Sequence, residues 1–182
     1  YLSKINRHSN DSVFWVLCPN RKTVKEKRCG GTLASPLPWR EILDDERSFI
    51  DSVRKLGETQ AFLFRHSEVP FTAVRQIEID LFNLSLMQTS NSLMFSYLPS
   101  ADNSFGDRIF EYSAYNFGHY VMPAYALTME DSISKRYTFS YIHRTFITKD
   151  EDIYKFNDGV VRSILAGINS PQKTIGEILE EI

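Results

Sequence analysis

The chain is 182 residues long, 42% hydrophobic and 24% charged, with a net charge of −2 at neutral pH. That length suits one well-buried domain, and the balance of apolar and charged residues excludes wholesale disorder. A charge so near zero gives no general pull toward nucleic acid, and no apolar run approaches the roughly 20 residues that cross a bilayer.

Ser12 to Cys18 reads as an apolar strand, and Pro19-Asn20 as the turn that ends it. Thr23 to Cys29 alternates and reads as a polar partner strand, broken by Gly30-Gly31. The basic run from Arg21 to Arg28 then sits on a solvated edge strand defended by lysine, with contact to phosphate or anionic lipid as the alternative. From Pro38 the spacing turns helical through Trp39, Ile42, Leu43, Phe49, Ile50, Val53 and Leu56, with Gly57 as the stop. The charges from Asp44 to Arg47 fall on that helix's wet face. Gln60 to Arg65 is expected as a short strand. Ile77 to Met87 is expected as a long strand with a bulge, with a helix as the alternative. Leu93, Phe95 and Tyr97 line one face of the following strand, and 99 to 106 is loop by composition.

Asp107 to Phe117 reads as a short helical or irregular piece. A β-hairpin follows: His119 to Thr128, a tip through Lys135, and a return from Arg136 to Thr148. Tyr137, Phe139, Tyr141 and His143 share one face of the return strand, which makes His143 a satisfied core or interface histidine. A helix opens on Asp150, Glu151 and Asp152, whose charges suit its N-terminus, and carries Ile153, Phe156, Val160, Val161, Ile164 and Leu165 to Gly167. A last helix opens at Ser170-Pro171. The fold class is α+β: an antiparallel sheet with flanking helices.

Chemistry-bearing motifs are few. The two cysteines, Cys18 and Cys29, are read as reduced, with a disulfide across neighbouring strands as the alternative. The four histidines show no ligand spacing with them, so no metal site is expected. The sequence holds no glycine-rich nucleotide loop, and no cofactor is expected. Ser132 to Lys135 fits S-x-x-K, yet a hairpin tip does not bury the pair as Ser-Lys catalysis needs. The tail from Val160 lacks the recognition helix of a helix-turn-helix.

The stretch from Gly118 to Tyr137, with Asp131-Ser-Ile-Ser-Lys135 at its tip, resembles the late hairpin of longin domains in the folliculin-type branch of the longin–DENN family. The resemblance covers about residues 75 to 167 and includes Asp80 to Leu86 and the helix from Asp150. It implies a single longin-like domain within a larger protein, with residues 1 to 70 as an N-terminal extension or insertion. It further implies a protein-interaction module in a small-GTPase-regulating or membrane-traffic complex. Partners would be a second longin or DENN protein, as a heterodimer, and a small GTPase. The location would be cytoplasmic, at the lysosomal or vacuolar membrane through those partners. Asp131, Lys135, Arg136, Tyr137, Phe139 and Tyr141 would form the interaction surface. Arg136 would be the one catalytic candidate, an arginine finger steadying charge on the γ-phosphate. Phe139 stands where strict alignment places that finger, so scaffolding without catalysis is the expectation. The alternative is a PAS-like ligand-sensing domain of a signalling protein or transcription regulator, its aromatic faces lining a pocket.

Overall fold

The structure is a computed structural model that describes residues 9–31, 33–85, 93–98, 104–105, 108–109, 124–131 and 136–182. Its centre is a five-stranded sheet in the order β2-β1-β3-β6-β7. The strands are β1 (Asp11–Cys18), β2 (Ser35–Ile42), β3 (Met94–Leu98), β6 (Ala124–Asp131) and β7 (Arg136–His143). β4 (Ser104–Phe105) and β5 (Arg108–Ile109) form a separate two-stranded ribbon. The helices are α1 (Val24–Arg28), α2 (Phe49–Arg65), α3 (Phe71–Phe82), α4 (Asp150–Asn169) and α5 (Ile175–Glu180).

The α+β class is as read from the sequence, but the sheet is mixed and not antiparallel. β1 pairs with β2, and β6 with β7, in antiparallel fashion, while β1–β3 and β3–β6 are parallel. Parallel neighbours need a long crossover. Here α2 and α3, which follow β2, carry the chain to β3 beside β1, and they include the expected strands at Gln60–Arg65 and, in part, Ile77–Met87.

Four local readings change, each for a physical reason. Val24–Arg28 is a helical turn because Thr23 and Glu26 form a reciprocal capping box: the Thr23 hydroxyl accepts from the Glu26 N–H, and the Glu26 carboxylate accepts from the Thr23 N–H. Arg21 holds that turn by donating to the carbonyls of Glu26, Cys29 and Gly31. Pro36 and Pro38 lie in an edge strand, where a missing N–H is tolerated. The helix begins instead at Phe49, capped by Ser48, and runs on through Gly57, whose low helix propensity does not end it. Gln60–Arg65 is its last turn and a half. Phe71–Phe82 is a helix, so over Ile77–Phe82 the expected strand gives way to its helical alternative; the helix begins earlier than that reading and is ended by Asn83 in the left-handed region at φ 49°.

The predicted strand at Ser12, the strand at Leu93–Tyr97, the late hairpin and the helix from Asp150 are all present. α4 continues past Gly167 to Asn169, and the last helix is capped by Thr174, not Ser170. Ser104–Phe105 is a strand within the loop expected at 99 to 106, and Arg108–Ile109 a strand within the helical or irregular piece expected at Asp107 to Phe117; the rest of both stretches, residues 119–123 of the hairpin and its tip, Ser132 to Lys135, lie outside the described residues.

Pleating divides the sheet into two faces. Val16 and Cys18 of β1 with Leu37 and Trp39 of β2 form a buried cluster, against which half-buried Phe14 and Leu56, Leu63 and Phe64 of α2 pack. The opposite face carries Trp15, 1% exposed, whose ring meets Phe71 of α3 edge-on at 5.2 Å. Helices therefore cover both faces. On the α2 side, register carries the same face across to β7, where α4 lies over it.

The segment after α4 ties these helices together. Phe49 N–H donates to the Lys173 carbonyl, Ile50 N–H to that of Pro171, and Ile175 N–H to that of Arg47. Ile178 of α5 is 2% exposed, and Gly167 lies directly against the Phe49 ring. Residues 11–42 supply two strands of the common sheet.

Candidate functional site

Strand pairing brings small and aromatic residues together under α4. On the central strands Phe95 pairs with Ala126 and Tyr97 with Thr128. On the other side Ala126 pairs with Tyr141 and Thr128 with Phe139. Ala126 and Thr128, both buried, therefore form a low floor between taller aromatic neighbours. Phe156 and Val160 of α4 overhang it. The result is a cavity of about 120 Å³ lined by these residues and Leu93, except that Tyr97 stays outside the lining.

The walls are held in place. Tyr141 donates its hydroxyl to Asn157 Oδ1 at 3.0 Å, and its ring meets Phe156 edge-on at 5.7 Å. Burial pushes the Tyr141 hydroxyl above its ordinary range. It thus acts as a neutral donor that ties β7 to α4.

His143 ends β7 and is mostly buried. Its Nδ1 lies 3.1 Å from the Thr148 carbonyl and its Nε2 lies 3.0 Å from Asp150 Oδ1. Both partners are oxygen acceptors, one just before α4 and one in its first turn. Lys149, the residue before α4, makes no side-chain cap. His143 instead joins the strand end to the helix start and stands as the satisfied histidine that the alternation suggested.

The predicted surface residues scatter. Arg136 and Tyr137 are exposed at the start of β7, and the backbone of Asp131 pairs with that of Arg136 across the hairpin. Phe139 and Tyr141 turn into the cavity. Lys135 lies outside the described residues. The sequence reading saw the aromatic face of β7 but missed Ala126, Thr128, Phe156 and Val160, whose part depends on register and on the seat of α4. The described residues hold no cluster of His, Cys, Asp and Glu able to grip a metal, and Cys18 and Cys29 are unpaired thiols. No described helix is long and apolar enough to cross a membrane.

No family model matches the chain, and no curated protein matches it in sequence. Solved structures do match in fold. The first condensation domain of the CDA synthetase superposes with a TM-score of 0.72 at 14% identity, over 97% of this chain and 39% of that one. The condensation domain of the monacolin K polyketide synthase MokA gives 0.73 at 13%, over 96% and 40%. The X-domain, in its complex with OxyB from teicoplanin biosynthesis, gives 0.70 at 14%, over 97% and 39%. The chain thus has the fold of part of a condensation domain and spans about two fifths of the length of these structures.

This likeness overturns the longin reading. It extends over nearly the whole chain, whereas the resemblance rested on one short hairpin motif. Polar residues and cations at a hairpin tip follow from turn chemistry common to many sheets. With it fall the longin–DENN assignment and small-GTPase regulation, while the partner, the lysosomal or vacuolar setting and Arg136 as an arginine finger lose the argument that carried them. The PAS-like sensor falls too, because its strand order depended on segments that are α1, α2 and α3.

Proposed function

We propose that this chain is one lobe of a two-lobed domain of condensation or acyl-transfer type, and that the working site forms only against a second lobe. The observation that carries this reading is the coverage: almost all of this chain aligns, with two fifths of each solved condensation domain. The state of His143 supports it. A general base needs a free nitrogen lone pair, and both nitrogens of His143 face acceptors within the lobe. His143 is therefore a positioning residue here, and the catalytic groups come from elsewhere in the complete domain.

The test is to express the chain alone and within the longest polypeptide that its own gene encodes, then assay both for acyl transfer from an acyl thioester. We expect turnover from the longer polypeptide and none from the lobe. Turnover by the lobe alone would overturn the reading, as would an inactive longer polypeptide that demonstrably contains both lobes.

A second reading has one observation behind it. The exposed side chains Phe146, Tyr154, Leu165 and Ile168 place apolar surface along and beside α4, and the X-domain shows the same fold in a protein complex. An inactive two-lobed protein that binds a separate enzyme would favour recruitment over catalysis.

A further inference from the structure

We infer that the cavity under α4 is a binding site for a small, uncharged, ring-shaped apolar group of about benzene size. This does not depend on a second lobe, because every lining residue belongs to this chain.

Volume sets the size of the occupant. The cavity holds about 120 Å³, and an apolar protein cavity of about 150 Å³ stays dry and accepts benzene. Chemistry sets its character. Leu93, Phe95, Ala126, Phe139, Phe156 and Val160 contribute hydrocarbon, and Thr128 and Tyr141 contribute the lining hydroxyls. The Tyr141 hydroxyl is already directed at Asn157. A buried water wants two to four polar partners, which this lining supplies poorly. A charged ligand would forfeit its hydration with no lining side chain of opposite charge in return.

Shape selects a flat ring. The buried floor of Ala126 and Thr128 runs between Phe95 on one neighbouring strand and Phe139 and Tyr141 on the other, so the slot is low in the middle and aromatic on both sides. Aromatic pairs prefer offset or edge-on contact with centroids roughly 4.5–7 Å apart, which such a slot offers an inserted ring. The Tyr141–Asn157 hydrogen bond and the Tyr141–Phe156 contact set the wall before a ligand arrives. Little ordering cost then falls on binding. Phe95, 36% exposed, gives the slot an opening to solvent.

The probe is benzene itself, titrated into the chain and followed by methyl NMR at Ala126, Leu93 and Val160 and by thermal unfolding. Ring-current shifts should saturate at those methyls, and the midpoint should rise by roughly 3–6 °C at benzene ten times its dissociation constant. Two plugging variants test the location: A126L from the floor and V160F from the roof. Each should abolish both responses, and either one that folds suffices. The inference is overturned if the wild-type methyls show no saturable shift. It is equally overturned if a folded plugged variant responds like wild type, or if tetramethylammonium saturates the site and benzene does not.

Discussion

Gly167→Ala sets helix propensity against packing, with a sign that decides between them. Gly167 lies in the last turn of α4, where alanine is favoured over glycine by about 0.8–1.0 kcal/mol on propensity alone. A methyl group built there would sit 2.5 Å from Cζ of Phe49, and closer still to Cε2 and Cδ2. Carbon atoms need more than 3 Å, so the ring must move. Its backbone cannot readily follow, because Phe49 N–H is bonded to the Lys173 carbonyl at 2.8 Å. Overpacking of this kind costs about 1–3 kcal/mol. The balance is a loss of about 1 kcal/mol, or a fall in Tm of roughly 2–4 °C for a chain this size. Gly57→Ala is the control: Gly57 lies within α2, and a methyl there meets nothing within 4 Å. It should stabilise by about 0.4–1 kcal/mol. Urea unfolding of both variants measures the two signs. Adding Phe49→Leu to Gly167→Ala should recover much of the loss, so the two changes should be coupled and not additive. Stabilisation by Gly167→Ala matching that of Gly57→Ala would refute the close packing of α4 on α2.

Burial of Glu78 on α3 raises its carboxyl above the usual range, only partly opposed by the nearby Arg75 charge, and its Oε2 is a buried acceptor without a partner. A raised folded value means a penalty present at neutral pH that fades as pH falls toward the unfolded value. Glu78→Gln should therefore raise Tm at pH 7 and bring no gain below about pH 4; a gain independent of pH would contradict this. Lys55 pairs at 2.7 Å with Glu41, which is only 7% exposed beneath α2. Lys55→Ala should cost about 1–2 kcal/mol, a figure reduced for the half-exposed lysine, and Lys55→Ala with Glu41→Leu should unfold later in urea than Lys55→Ala alone. Native alkylation should label Cys29 and spare buried Cys18, with both thiols reacting after unfolding. Two thiols unreactive before and after unfolding would instead mean a disulfide.

Some of this protein was legible before any fold was known. A continuous apolar run marked β1, and alternating aromatics marked the return strand of the late hairpin, because a half-buried strand shows its period of two over a few residues. The helix from Asp150 showed its start in its acidic first turn and its body in its apolar spacing. The capping boxes at Thr23–Glu26 and Thr174–Glu177 were also there to be read, and passing over the first made a helix into a strand.

Other features depend on where distant segments meet. The parallel pairing of β3 with β1 and β6 leaves no local mark, since it joins Trp15 to Met94 and Met94 to Tyr125 across long connections. The cavity exists because register sets Ala126 and Thr128 between aromatics from two other strands, and because α4 crosses above them. Local chemistry, acting over three or four residues, determined most strands and helix ends. Tertiary packing alone decided the mixed sheet, the close seat of Phe49 on Gly167 and the aromatic slot, because each depends on side chains far apart in the chain finding one another.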